Sequence, residues 1–100
     1  MRVVGSDDAG MTVELRVGES IRVELDANYV PATAHPDGFL ERTSVTGGYP
    51  TGRPMVAVFR AIAAGRADIE SSTDYACLHG TPSCMLPQQL WMIHVVVKAS

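Results

Sequence analysis

Cys77, His79 and Cys84 are the residues whose type and spacing could do chemistry in this 100-residue chain. They share one stretch, Cys77-Leu78-His79-Gly80-Thr81-Pro82-Ser83-Cys84, which is followed by Pro87 and by the single tryptophan, Trp91. Two cysteines seven positions apart in a Pro- and Gly-rich loop predict a local disulfide. Closing so small a ring contributes about 2.5 kcal/mol by loop entropy and fixes the shape of a segment that has no ladder to hold it. A redox pair would need Cys-x-x-Cys spacing and a helix N-terminus to lower one thiol pKa, and neither is present. Coordination is the other chemistry these types allow. Cys77, His79 and Cys84 supply three donors for zinc, with His35 or His94 as a fourth. The Cys-x-His spacing is not that of a zinc finger or ribbon, so metal binding stands as an alternative to the disulfide. Nothing else points to a reaction. No Ser or Thr sits in a nucleophile elbow, and Asp68 and Glu70 alternate along one strand face rather than converging. Gly47-Gly48-Tyr49-Pro50 runs into further prolines, not into a helix that could cradle phosphate. The chain reads as a non-enzyme without a cofactor.

The elements that must position these residues are strands. Val13, Leu15 and Val17 alternate with Thr12, Glu14 and Arg16, the mark of a half-buried antiparallel strand. Gly18-Glu19 makes a turn, and Ile21, Val23 and Leu25 resume the pattern against Arg22, Glu24 and Asp26. Residues 1–4 form an edge strand ended by the turn-prone run 5–10. Residues 27–39 lose periodicity and collect Asn28, Pro31, Pro36, Asp37 and Gly38, the signature of a first long loop. Residues 39–46 read as a weaker strand, because Leu40, Thr43 and Val45 break strict alternation. The second long loop, 47–54, is too rich in Gly and Pro for helix or ladder. Met55, Ala57, Phe59 and Ala61 share a face of the next strand, and a tight connection near Gly65 leads to another, over 66–75, with Ala67 and Ile69 inward. After the third long loop, 76–89, residues 90–98 place Trp91, Ile93, Val95 and Val97 opposite His94 and Lys98. About seven strands, punctuated about every 8–14 residues and with no credible helix, predict an all-β antiparallel β-sandwich. In Greek-key order the three long loops gather at one end and the turns at 18–19 and 63–65 at the other. Long loops at one end are where binding resides.

Composition excludes several classes of partner. The chain is long enough for one core, so residues 1–100 read as a single domain. A net charge of −3 with scattered Lys and Arg leaves no footprint for nucleic acid. No apolar run approaches the roughly 18–20 residues a membrane span needs, and residues 1–10 lack the pattern of a signal peptide. A structural disulfide places the domain in an oxidising compartment, extracytoplasmic or in the cell envelope, as a mature segment. The expected partner is another protein, met by a monomer. The candidate contact residues are Tyr29, Val30, Pro31 and Thr33 of the first loop and Gly48 and Tyr49 of the second. His79 and Pro82 of the third loop join them, as does Trp91, which can also be read as a core residue because it is in phase with Ile93.

Phe59-x-Ala61-x-x-x-Gly65-x-Ala67-x-Ile69 resembles the strand–turn–strand core of bacterial immunoglobulin-like domains and of the chagasin-type inhibitors of cysteine proteases. The resemblance runs from about Val13 to Val97. It implies an immunoglobulin-like sandwich that wedges three loops from one end into a papain-like cleft. Asn28, Pro31 and Thr33 correspond to the family's Asn-Pro-x-Thr-Gly loop at a different spacing and without the Gly, and Gly47, Gly48 and Gly52 to its Gly-rich loop. Thr81-Pro82-Ser83 stands in place of its Arg-Pro-Trp. The segment from Asp74 to Trp91 also resembles segments of actinobacterial envelope proteins. Two functions follow as expectations beside metal binding: a non-catalytic binding or structural module using the three-loop end, and, as the alternative, inhibition of a papain-family cysteine protease.

Overall fold

The computed structural model describes residues 1–82, 84–85 and 87–99. Ser83 of the Thr81-Pro82-Ser83 motif and Leu86 lie outside the described residues, as does Ser100. The described residues form eight strands: β1 (Arg2–Val4), β2 (Thr12–Arg16), β3 (Ser20–Leu25), β4 (Thr33–His35), β5 (Leu40–Thr46), β6 (Met55–Ala61), β7 (Gly65–Ser72) and β8 (Leu90–Lys98). They form two four-stranded mixed sheets, β1-β3-β6-β5 and β2-β8-β7-β4, packed as an immunoglobulin-like sandwich.

The alternating residues do what their period requires. Val13, Leu15, Ile21, Val23, Leu25, Met55, Ala57, Phe59, Ala61, Ala67, Ile69, Ile93, Val95 and Val97 are all buried between the sheets. Burial of each large apolar side chain among them contributes about 1.5–3 kcal/mol relative to exposure. Trp91 is buried in the core near the loop end with 1% exposure, and its indole N–H donates to the Gly5 carbonyl at 3.0 Å. That bond satisfies the ring's one polar atom, so the whole residue can be core.

Two expectations need correction. The first long loop is not continuous, because β4 lies inside it and pairs antiparallel with β7, Thr33 facing Glu70 and His35 facing Asp68. A three-residue edge strand between Pro31 and Pro36 is too short to show a period. Second, β2 is not antiparallel: it runs parallel to β8, with Thr12 opposite His94 and Arg16 opposite Lys98. Alternation reports which face is buried and says nothing about the direction of the neighbour. The chain pairs β1 parallel with β3 in one sheet, then crosses over at residues 5–11 to lay β2 along the other. The weaker strand expected over 39–46 is present as β5, and its broken alternation is a bulge at Thr43, where the register with β6 shifts between Arg42 and Ser44.

On the other side of the sandwich the chain crosses again, from β4 to β5 through residues 36–39. There the Arg42 guanidinium spans the gap between sheets to the Ala32 carbonyl at 2.9 Å. The pairings also fix the ends. Leu25 pairs with Met55 and Thr46 with Val56, and Ser72 pairs with Leu90. Residues 26–32, 47–54 and 73–89 therefore leave from one end. The turns at Gly18 and Gly65 occupy the other, where the Gly18 N–H bonds the Ala61 carbonyl at 2.8 Å. Arg2, level with Ile21, and Lys98, level with Arg16, stand at that turn end too.

Candidate functional site

The three loops form a connected surface, and backbone hydrogen bonds make most of the connections. Beyond the last full ladder pair, Tyr29 bridges to Thr73, and the Val30 N–H donates to the Ser72 carbonyl at 3.0 Å. The Asp74 N–H reaches the Asn28 carbonyl and the Tyr49 N–H the Tyr29 carbonyl, each at 2.8 Å. The first loop is thus bonded to both of the others. Thr73 anchors the third loop at its root. Its Oγ1 accepts the Gln89 N–H at 2.7 Å, its own N–H donates to the Gln89 carbonyl at 2.9 Å, and its carbonyl accepts Gln88 Nε2 at 3.1 Å.

Glycine makes the second loop possible. Gly48 has φ of +80°, and a Cβ there would stand 2.7 Å from the Tyr29 carbonyl oxygen. At Gly47, φ is +70° and a Cβ would fall 1.9 Å from the Pro54 carbonyl oxygen. The backbone at both sites approaches its neighbours closer than any side chain allows. Thr51 closes the turn, its Oγ1 donating to the Gly48 carbonyl at 2.6 Å.

The third loop is stapled. Cys77 and Cys84 form a disulfide with their Cα atoms 5.3 Å apart, and the Cys84 N–H donates to the Cys77 carbonyl at 2.9 Å. Both sulfurs are thereby removed from the donor set that the metal alternative needs, because a ligating cysteine must be a thiolate. Among the described residues no group of three His, Cys, Asp or Glu side chains could hold a metal ion. His94 is engaged elsewhere, its Nδ1 standing 2.7 Å from Asp68 Oδ1 on the outer face of β7 and β8.

His79, within the disulfide ring, makes the contacts that tie this loop to the second. Its imidazole stacks on the ring of Tyr49, centroids 6.0 Å apart with 28° between planes. Its Nε2 N–H donates to the Asp74 carboxylate at 2.8 and 2.9 Å. That hydrogen bond is the main cause of an Asp74 pKa held below its ordinary value, with the Tyr75 N–H at 2.9 Å adding to it. Asp74 thus holds His79 against Tyr49 while its own backbone holds the first loop. Burial is the main reason the Tyr29 phenol is pushed above its ordinary pKa, with Asp26 adding to it.

The residues singled out by sequence separate into two groups. Pro31, Thr33, His79 and Pro82 are exposed and Val30 and Tyr49 half-buried, so their side chains can meet a partner. Thr33 does so from strand β4. Trp91, by contrast, is closed to any partner by the core, and Tyr29, at 7% exposure, and Gly48 are buried supports. Sequence reasoning missed Asp74, Thr73 and Met85. Thr73 was findable, since it continues the inward phase of Ala67, Ile69 and Ser71. No pattern marks Asp74, which acts through a residue five positions on. Met85, in the third loop, is 98% exposed.

No protein-family model matches the chain, and no curated protein matches it significantly in sequence. Solved structures do match in fold. The crystal structure of EhICP2, a cysteine protease inhibitor from Entamoeba histolytica, superposes with a TM-score of 0.69 at 12% identity, covering 97% of this chain and 94% of that one. The solution structure of Amebosin superposes with a TM-score of 0.65 at 14% identity, covering 97% of each chain.

Proposed function

We propose that this domain is a non-catalytic binding module of chagasin-like type that blocks a papain-family cysteine protease with its three-loop end. The observation that carries the reading is the hydrogen-bonded union of the three loops, on a fold shared along nearly its whole length with a cysteine protease inhibitor. A surface already held in one shape loses little freedom on docking, which favours binding. The composition of the end supports a protein partner. Residues 26–32, 47–54 and 73–89 contain no Lys or Glu, whereas Pro31, Tyr49, Pro82 and Met85 offer apolar and aromatic contact. Interface centres are depleted in charge and enriched in aromatic residues and Met. The disulfide supports an extracytoplasmic location.

Titrating active papain with the domain tests the reading. The expected result is reversible inhibition that competes with substrate. Full papain activity at micromolar domain would sink it. The disulfide ring, where the family carries Arg-Pro-Trp, makes the third loop the place where preference among such proteases is set.

A further inference from the structure

The Cys77–Cys84 bond is not placed like a disulfide that braces a core. Among the described residues between Thr73 and Leu90, none belongs to the buried apolar cluster. Cys77 is exposed and Cys84 half-buried. The ladder ends at Thr73 and Gln89, so the ring hangs from the sandwich by its two roots. Among the described residues the backbone bonds that hold the ring are local: Leu78 to Tyr75, and both Gly80 and Cys84 to the Cys77 carbonyl. Yet His79, a member of the ring, carries the contacts to Tyr49 and Asp74. Closure of the ring therefore decides where His79 stands, while the fold rests on other residues.

We propose that the Cys77–Cys84 disulfide is an exchange site for a dithiol reductant, whose action unlocks the third loop while the sandwich stays folded. Only the functional consequence, loss of docking, rests on the inhibitor reading above; the exchange itself does not. In the first step one thiolate of the dithiol attacks Sγ of Cys77, the more exposed partner. The Cys77–Cys84 bond breaks, a mixed disulfide forms, and Cys84 leaves as a thiolate that takes a proton. The second thiolate of the dithiol then attacks the reductant's own sulfur in that mixed disulfide. Cys77 is released and protonated, and the dithiol closes to a disulfide. Two electrons pass from the reductant to the cysteine pair, and no other reactant is needed. With the ring open, residues 74–88 lose their only covalent constraint beyond the chain itself, and the alignment of His79 with Tyr49 goes with it.

Dithiothreitol, followed by iodoacetamide trapping and mass spectrometry, tests access in the native state. The expected result is reduction in native buffer without denaturant, with circular dichroism and cooperative melting retained. Amide exchange should accelerate about tenfold or more within residues 74–88 and stay unchanged in the strands. The C77S/C84S double variant, which carries no alkyl groups, should match the reduced protein. Reduction that requires denaturant overturns the proposal. So does loss of the sandwich on reduction, or unchanged exchange over residues 74–88. Papain activated and then freed of its reductant supplies the functional arm: the open-ring forms should need about tenfold more protein for equal inhibition. If the oxidised domain does not inhibit papain at all, the inhibitor reading fails, and the exchange measurements still decide the redox proposal.

Discussion

Replacing Thr73 by Val removes one oxygen and leaves shape and β-branching intact. Thr73 is 2% exposed and lies where β7 ends, the third loop begins and Tyr29 of the first loop makes its bridge. Valine keeps both backbone bonds of this residue and loses the Oγ1 acceptor of the Gln89 N–H. A typical neutral hydrogen bond contributes about 1 kcal/mol net, and a fully buried orphaned donor costs up to about 3 kcal/mol. Gln89 is exposed, so water recovers part of that bond and the lower figure governs. The added methyl offsets a further few tenths, for an expected loss of about 1 kcal/mol. In a domain of this size the melting temperature should fall by about 4–8 °C. A thermal melt followed by circular dichroism reads the stability, and amide exchange at Gln89, Asp74 and Val30 reads the locality. An unchanged melting temperature would refute the role given to Oγ1. A lower one without faster exchange at those three amides would refute the coupling of the first and third loops through this residue.

Trp91→Phe should lower the urea midpoint by the equivalent of about 2–3 kcal/mol, because the smaller ring leaves a cavity in the core. The Gly5 carbonyl is not orphaned, since it still accepts the Asp8 N–H at 3.0 Å. On the proposed inhibitor reading, potency per folded molecule should be unchanged, and loss of potency with stability intact would return Trp91 to the docking surface. Acid should release the third loop late. The Asp74 pKa is depressed in the folded protein, so what its carboxylate contributes is complete above its ordinary value of 3.8 and is lost only as pH falls through the lower folded value. Amide exchange at Tyr75 and His79 should stay slow through mild acid and rise only below that value, and Asp74→Asn should abolish the step. A release near neutral pH would contradict the contact.

What the sequence made legible follows from which forces are local. Burial in a sheet has a period of two, so the inward faces of β2, β3, β6 and β8 can be read residue by residue, and the disulfide follows from two cysteines in one loop. Strand direction is set by partners distant in the chain, which is why the parallel placement of β2 beside β8 left no trace in the alternation of Val13 and Leu15. At the loop end the readable signal was composition: Gly47, Gly48 and the prolines exclude regular structure and mark a turn. The contact of His79 with Tyr49 joins loops that strand pairing alone brings together. Asp74, which orients that histidine, belongs to no motif. Trp91 shows the opposite difficulty, since a tryptophan at the mouth of a loop has the chemistry of a contact residue until its neighbours are placed. The deciding neighbour, Gly5, lies at the far end of the sequence.

Arg2 and Lys98, where the first and last strands begin and finish, stand at the turn end of a molecule 51 Å long. A bead, a fluorophore, an affinity tag or another domain joined at either end therefore attaches on the far side from the loops. Immobilised by either end, the molecule presents the same face outward, and the attachment leaves that face unobstructed. Binding measured on a chip should then be independent of which end is anchored. A string of such domains stacked loop end to turn end would instead have to route each linker back along the sandwich, since Arg2 and Lys98 of every unit stand at the same end.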